Sequence, residues 1–103
     1  MAYIIINTTF ENKKDAENMA NKLIDGKLAT CIQLSEIESY LRWNNKTQNS
    51  KEYKLEIKTT SNNYKKIEKF IKENHKYEIP EIIAVKIKNG SKEYLKWMKG
   101  EIC

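Results

Sequence analysis

The chain has 103 residues, of which 40% are hydrophobic and 32% charged, with a formal net charge of +5. This length accommodates one domain with one core, predicted to span residues 1–103, and the composition excludes intrinsic disorder. The positive charge comes from lysines scattered among glutamates, with Arg42 as the sole arginine, a distribution that disfavours nucleic-acid binding and is typical of a solvated surface.

The first part of the chain predicts a strand followed by a helix. Tyr3–Ile6 is a continuous run of β-branched and aromatic residues, which is typical of a strand buried on both faces. After residues 7–9, Asn12 is placed to cap a helix and Gly26 to end it in the left-handed conformation. Between them, apolar residues at helical spacing predict packing against a sheet: Ala16, Met19, Ala20, Leu23 and Ile24.

Residues 28–60 predict a long antiparallel hairpin. Two strand-like runs with alternating apolar and polar residues flank the polar turn Asn44–Lys46. The run Leu28–Trp43 would span roughly 50 Å as an unbroken strand, whereas a domain of this size has a radius of gyration of about 13 Å. We therefore expect the strand to break at Ser35–Glu36 and also to extend past its own domain.

The second part of the chain predicts a helix, a connector, a strand and a final short helix. Ser61 is placed to cap the helix, and Asn74–Glu81, which contains the only proline, predicts a connector. Ile82–Val85 predicts the fourth strand, and Ser91 is placed to cap the last helix. Apolar residues form one side of each helix: Tyr64, Ile67, Phe70 and Ile71 in the first, and Tyr94, Leu95, Trp97 and Met98 in the last.

The order of these elements predicts an α+β fold, a ferredoxin-like βαββαβ sandwich with a long central hairpin and a short C-terminal helix. Right-handed crossovers place both long helices on one face of the sheet. The first and fourth strands are nevertheless apolar on both faces. The uncovered face and the overlong hairpin together predict a homo-oligomer.

Cysteine usage and the N-terminus bear on the compartment. Cys31 and Cys103 make neither a disulfide framework nor a zinc motif, which favours a reducing compartment. The N-terminus lacks the pattern of a signal peptide, and no stretch has the length of a membrane span. We therefore predict a cytoplasmic protein without a membrane partner.

Several short stretches, in register along nearly the whole chain, resemble the CutA family of divalent-cation tolerance proteins, which are small trimeric ferredoxin-like proteins. The longest is the His-Lys-Tyr-Glu-Ile-Pro-Glu stretch that begins at His75. The sequence departs from the family pattern where the family usually has proline after this histidine, because Lys76 stands there. The stretches that carry the resemblance are Lys27–Cys31, Ser39–Trp43, Ile57–Thr60, His75–Ile83 and Tyr94–Trp97.

The resemblance implies a homotrimer that binds Cu²⁺ or another divalent cation in a regulatory or tolerance role. The family's copper ligands correspond here to Asn7, Asn74 and His75, of which only the histidine is a good ligand for copper. As a hypothesis, His75 binds the cation together with Glu81 or Cys31. In the alternative interpretation, Cys31 is a buried strand residue and His75 forms hydrogen bonds within a loop.

The resemblance also implies that a set of polar and aromatic residues gathers near the clefts between subunits. These residues either pack the oligomer interface or form a site for a metal ion or small molecule. The second possibility is an analogy to the PII-type signalling trimers, which have a similar architecture. The residues of the set, besides His75 and Glu81, are Tyr40, Trp43, Glu52, Lys58, Tyr77 and Trp97.

The sequence does not predict an enzyme. It has no nucleophile with an evident base, no glycine-rich phosphate loop, and no carboxylate pair that the pattern places in a cleft. The sole arginine, Arg42, does not lie in a loop that could grip a phosphate. The aromatic submotif of the RNA-binding variants of this fold is missing from the central strands.

Overall fold

A computed structural model describes residues 1–102 of the chain. Cys103, one of the two cysteines considered above, lies outside the described residues. A short 3₁₀ helix at Ser61–Asn63 precedes the second α-helix. The regular elements, in chain order, are β1 Tyr3–Phe10, α1 Lys13–Asp25, β2 Cys31–Trp43, β3 Lys46–Thr60, α2 Tyr64–Glu73, β4 Ile83–Lys86 and α3 Lys92–Gly100.

The four strands form one antiparallel sheet in the order β2-β3-β1-β4. This order and the βαββαβ succession confirm the predicted ferredoxin-like α+β fold. None of the helices within residues 1–102 is both long enough and apolar enough to cross a membrane.

The hydrophobic core lies between one face of the sheet and the two long helices. Ile6 pairs with Ile57, and Thr8 pairs with Leu55, so these four side chains share that face. All four are fully buried. The residues that pack with them from the helices are Ala16, Met19 and Leu23 of α1 and Ile67 and Ile71 of α2.

The first strand is longer than the predicted Tyr3–Ile6. It continues to Phe10 because residues 7–10 keep pairing with β3, as far as Phe10 opposite Tyr53. The polar residues Asn7, Thr8 and Thr9 looked like the end of the strand in the sequence. Burial of Phe10 extends the pairing through these residues.

The hairpin of β2 and β3 is continuous, and the predicted break at Ser35–Glu36 is wrong. Ser35 pairs with Lys54 and Glu36 with Tyr53 without a bulge. At the tip, Asn44 and Asn45 have φ angles of 52° and 61°, which matches a two-residue turn of the type that suits twisted strands.

The hairpin extends past the core, as predicted. The longest dimension of the chain is 44 Å, against 25 and 22 Å in the other two directions. From Thr47 to Lys51, β3 is exposed throughout. The outer half of the hairpin is therefore largely exposed in the single chain.

Two of the predicted helix caps are confirmed. Asn12 Oδ1 accepts a hydrogen bond from the backbone N–H of Asp15 at 2.9 Å, and Ser91 Oγ accepts one from the N–H of Tyr94 at 3.1 Å. Each side chain satisfies a donor that the first turn of a helix leaves free.

The other two predicted helix ends differ from the ends observed in the structure. Gly26 has an ordinary φ of −79°, and the left-handed residue is Lys27, with a φ of 57°. The N–H of Lys27 bonds Ile24 and that of Leu28 bonds Leu23, a Schellman motif centred one residue later than predicted. Ser61 does not cap α2, because it begins the 3₁₀ helix and the N-cap position of α2 falls at Asn63. The hydroxyl of Ser61 instead accepts a hydrogen bond from the N–H of Ala2 at 2.9 Å.

The second face of the sheet, which we call the open face, is only partly covered. One row of paired residues on it runs Cys31, Lys58, Ile5 and Val85 across the four strands. Helix α3 lies against β3 near this row, where Lys58 Nζ donates to the hydroxyl of Tyr94 at 3.3 Å. In β4, Ile83 and Val85 remain 52% and 51% exposed.

Candidate functional site

A buried carboxylate lies where the hairpin meets the segment after α2. Glu52 is in β3 on the open face, and only 7% of it is exposed. Its Oε1 accepts a 2.6 Å hydrogen bond from Ser39 Oγ, and its Oε2 accepts a 2.8 Å bond from the hydroxyl of Tyr77. Both carboxylate oxygens thus have hydroxyl donors, which offsets the loss of water around the charge.

The phenol of Tyr77 holds its proton more tightly in this arrangement than an ordinary tyrosine does. Burial raises its pKa, and the hydrogen bond to Glu52 and the negative charge of that carboxylate raise it further. The charge of Glu11 adds to the same effect. Tyr77 is therefore a stable hydrogen-bond donor at neutral pH.

His75 positions the start of the segment that carries Tyr77. Its Nε2 lies 2.6 Å from the carbonyl oxygen of Thr9, and its Nδ1 accepts a hydrogen bond from the N–H of Tyr77 at 3.0 Å. Because a carbonyl only accepts, the ring proton lies on Nε2. The ring also stacks on Phe10, with centroids 4.5 Å apart. Both nitrogens of His75 are thus used within the chain.

Two cavities lie between the open face of the hairpin and residues 76–81, and we call this region the hairpin cleft. The larger cavity has a volume of about 580 Å³ and is lined by Trp43, Glu52 and Tyr77 among others. The smaller, of about 330 Å³, shares Glu52 and Tyr77 and adds Tyr40 and Glu81. The structure therefore brings together five of the predicted site residues.

Two predicted residues lie elsewhere. Lys58 is six residues from Glu52 along β3, about 20 Å away in an extended strand. It lies 5.3 Å from the ring centroid of Tyr94, which in turn lies 5.5 Å from the ring of Trp97. Lys58 and Trp97 form a second cluster at the end of the sheet that lies away from the hairpin tip, which we call the base of the sheet.

The three predicted metal ligands do not converge within this chain. Cys31 pairs with Lys58 at the base of the sheet. His75 bonds Thr9, which pairs with Lys54, four residues or about 13 Å further along β3. Over residues 1–102, no three His, Cys, Asp or Glu side chains are grouped as a metal site would require.

The positions that correspond to the other copper ligands of the family have different environments. Asn74 Nδ2 donates to the carbonyl of Phe70 at 2.9 Å, at the C-terminal end of α2. Asn7 is in β1, and its Oδ1 is buried without a hydrogen-bond partner among the described residues.

Ser39, Glu11 and Glu78 are among the residues of the hairpin cleft that the sequence interpretation missed. Ser39 bonds Glu52, and Glu11 and Glu78 line the larger cavity. The available signal for Ser39 was strand alternation, which places it on the same face as Ile37, the residue opposite Glu52. No pattern in the sequence indicated Glu11, which follows β1 directly.

Both the sequence and the fold of this chain match those of known proteins. The family model for the CutA1 divalent ion tolerance protein matches residues 4–101. A crystal structure of CutA1 from Oryza sativa superposes with a TM-score of 0.95 at 35% identity, covering all of this chain and 95% of that one. The structure of the periplasmic divalent cation tolerance protein CutA from Archaeoglobus fulgidus superposes with a TM-score of 0.90 at 31% identity, covering 93% and 94%.

Among curated sequences, the chloroplastic protein CutA 1 of Oryza sativa subsp. japonica is 37% identical over 97 residues, which cover 93% of this chain and 55% of that protein. The chain spans about half the length of the plant relatives it matches. The match to the family model extends over nearly the whole chain, and the structural superpositions agree with it. The chain belongs to the CutA1 family of divalent ion tolerance proteins.

Proposed function

We propose that this protein acts in divalent-cation tolerance as a cytoplasmic homotrimer that binds divalent metal ions, copper among them, in a regulatory or tolerance role. The observation that carries the proposal is the family match over residues 4–101. The matched structures from Oryza sativa and Archaeoglobus fulgidus are of CutA1 and of a divalent cation tolerance protein CutA.

The trimer is supported by the open face and by the hairpin. Ile83 and Val85 leave apolar surface exposed beside Ile5, and the outer half of the hairpin extends past the core. Contiguous apolar surface of this kind is typical of an interface. A second and third copy of the chain would cover both features.

Light scattering in reducing buffer, with and without a chelator, tests the assembly. We expect the mass of three chains in both conditions. Val85→Glu introduces a charge into the proposed interface and should lower the mass, whereas Lys69→Glu on the outer side of α2 should leave it unchanged. A wild-type monomer would contradict the trimer.

The metal site is proposed at His75 with Glu81 or Cys31. Because both ring nitrogens of His75 bond groups of the same chain, a metal ion there has to displace one of these bonds. Because Cys31 lies at the base of the sheet, it reaches such a site only from a neighbouring subunit.

Calorimetric titration with Cu²⁺ tests each ligand separately. His75→Ala, Cys31→Ser and Glu81→Gln should each weaken binding if the residue is a ligand, and Glu73→Gln on α2 is the control. The titrations are made at a temperature where circular dichroism shows each variant folded. Unchanged affinity in His75→Ala would remove His75 from the site.

The hairpin cleft favours a second role, the binding of a small-molecule ligand as in a PII-like signalling module. Its larger cavity, at about 580 Å³, is within the usual range for ligand sites and contains the aromatic rings of Trp43 and Tyr77. A ligand that binds the folded state raises the melting temperature. A metabolite panel that leaves the melting temperature unchanged would contradict this role.

A further inference from the structure

One asparagine of the chain is followed directly by glycine. The sequence contains eleven asparagines, and only Asn89, which precedes Gly90, has this neighbour. Because glycine has no Cβ, it leaves its backbone nitrogen unshielded and the backbone free to turn. The other asparagines are all followed by residues with a side chain. The side-chain amide carbon of Asn89 is therefore the one that the next backbone nitrogen reaches most easily.

The pair lies in a segment without regular structure at the base of the sheet. It follows β4 and precedes Ser91, the cap of α3. The N–H of Ile87, two residues before the pair, bonds the carbonyl of Tyr3 at 2.9 Å, where the sheet ends. Asn89 and Gly90 are both exposed. The pair thus lies at the end opposite to the hairpin tip and beyond the apolar residues of β4 that the proposed trimer covers.

Neither reacting group of the pair is held by a hydrogen bond among residues 1–102. The side chain of Asn89 and the backbone N–H of Gly90 both lack a partner there. Asp25 also precedes a glycine, but the N–H of Gly26 donates to the carbonyl of Lys22 at 3.0 Å in the last turn of α1. A nitrogen in such a bond has to give it up before it can attack a neighbouring group. The nitrogen of Gly90 has no such bond to give up.

Positive charge flanks the pair. Lys88 precedes it and Lys92 follows two residues after Gly90. Both lysines are exposed, and neither is in an ion pair within the part of the chain that the structure describes. When an amide nitrogen attacks a carbonyl carbon, it first loses its proton, so the reaction passes through an anion. Cations nearby favour the anionic form of a group.

The glycine itself is required by packing. A Cβ at position 90 would lie 3.1 Å from Cγ and Cδ2 of Leu95 in α3, which is closer than an ordinary van der Waals contact. The backbone therefore approaches α3 closely at this point, and a larger residue would push the side chain of Leu95 away. This close approach accounts for a glycine after Asn89.

From the unbonded amide, the unbonded N–H and the flanking lysines, we propose that Asn89 is a site of spontaneous deamidation. The nitrogen of Gly90 gives its proton to water and attacks Cγ of Asn89, the Cγ–Nδ2 bond breaks, and Nδ2 takes up a proton and leaves as ammonia. Water then opens the cyclic imide. Attack at Cγ gives aspartate, and attack at the backbone carbonyl carbon gives isoaspartate. The net reaction consumes one water and releases one ammonia.

The products change the start of α3. The new carboxylate lies two residues before Ser91, near the positive end of the helix dipole, where negative charge is favourable. It also lowers the formal net charge of +5 by one. Isoaspartate adds one carbon to the backbone between β4 and α3, and so shifts Gly90 relative to Leu95. The modification goes beyond the proposed function and is independent of metal or ligand binding.

Ageing of the full-length protein tests the site. The wild type is incubated in water labelled with heavy oxygen at 37 °C and pH 8, then cleaved at mildly acidic pH after Glu81 and Glu93, which releases residues 82–93 for mass spectrometry. We expect Asn89 to react about tenfold faster than any other asparagine, which corresponds to about 1.4 kcal/mol in the barrier. Aspartate and isoaspartate should both form and carry the label. Equal rates at the other asparagines, or aspartate without isoaspartate, would overturn the inference.

Variants and the unfolded chain complete the test. Asn89→Gln should end the loss of ammonia from residues 82–93, and Gly90→Ala should slow it by about tenfold, with circular dichroism to show that each variant is folded. Asn49→Gln in β3 is the matched control, because Asn49 is exposed and precedes the small residue Ser50. It should leave the rate at Asn89 unchanged. An Asn89 that stays intact in the native protein but reacts in urea would show that the fold or a neighbouring subunit closes the site, and would overturn the inference.

Discussion

The hydroxyl of Tyr77 donates a 2.8 Å hydrogen bond to Oε2 of Glu52 and so joins the segment after α2 to the middle of the hairpin. The same carboxylate accepts a bond from Ser39 on the neighbouring strand. One buried acidic group therefore connects three parts of the chain. It also forms a common wall of both cavities in the hairpin cleft.

Replacing Glu52 by alanine should lower the free energy of unfolding by about 1–3 kcal/mol, because the hydroxyls of Ser39 and Tyr77 lose their acceptor in a partly buried place. The measurement is urea denaturation followed by circular dichroism. Glu38→Ala, at an exposed position of the same hairpin, is the control and should change stability by less than about 0.5 kcal/mol. Equal effects in the two variants would contradict a structural role of the Glu52 hydrogen bonds.

The stability that Tyr77 contributes should disappear in alkali. Its pKa is raised in the folded state, by burial first and then by Glu52, while tyrosine in the unfolded chain ionises near about pH 10. Below that pH both states hold the proton, and the contribution is complete. As the pH rises above 10, only the unfolded state releases the proton, so the contribution falls.

We therefore expect the difference in melting temperature between the wild type and Tyr77→Phe to be constant from pH 6 to 9 and to shrink from pH 10 to 11. Tyr40→Phe, at an exposed ring, is the control. A Tyr77→Phe difference that stays constant through pH 11 would show that the phenol does not retain its proton in the folded state.

Lys27→Gly should raise the free energy of unfolding by about 0.5–1 kcal/mol. Lys27 has a φ of 57° at the end of α1, a conformation that costs a side-chain-bearing residue energy and costs glycine little. Lys22→Gly, inside α1, should instead lower stability by about 1 kcal/mol. Denaturant titration of both variants measures the contrast, and a loss of stability in Lys27→Gly would contradict the expectation.

Thr8→Val should stabilise the protein by about 1 kcal/mol. Thr8 is fully buried in the core, and its Oγ1 has no hydrogen-bond partner among the described residues. Valine has nearly the same shape without the polar atom. Thr59→Val is the matched control, because Thr59 is also fully buried but donates to the carbonyl of Leu28 at 2.6 Å. That variant should lose about 1 kcal/mol, and thermal unfolding of the pair would show opposite shifts.

Much of the candidate site could be predicted from the resemblance to the CutA family. The resemblance predicted a set that includes Glu52, Tyr77, Trp43, Tyr40 and Glu81, and the structure places these five residues in one cleft. Lys58 and Trp97 belonged to the same set but lie at the base of the sheet. Sequence order carries no information on which end of a long strand faces a given loop, so the set could not be divided without the fold.

Local patterns failed where a distant contact decided the outcome. Ser61 is a good cap by type, but its hydroxyl bonds the N–H of Ala2, which lies 59 positions away along the chain. The strand-like run Leu28–Trp43 looked too long to continue through Ser35–Glu36 without a break, yet β3 pairs with β2 throughout. At the end of α1, the glycine Gly26 suggested the left-handed position, but the residue with the left-handed φ is Lys27, and the N–H groups of Lys27 and Leu28 bond the last turn of the helix.

The sequence by itself determined the number, type and order of the elements, since apolar spacing and caps are local properties of a chain. It also determined the family, through stretches distributed along nearly all of its length. Only the tertiary structure decided that His75 bonds Thr9 and Tyr77 and that Glu52 holds two hydroxyls. The physical reason is that a side chain's hydrogen bonds and charge depend on which groups folding brings within about 3 Å of it, and most of these groups are distant in sequence.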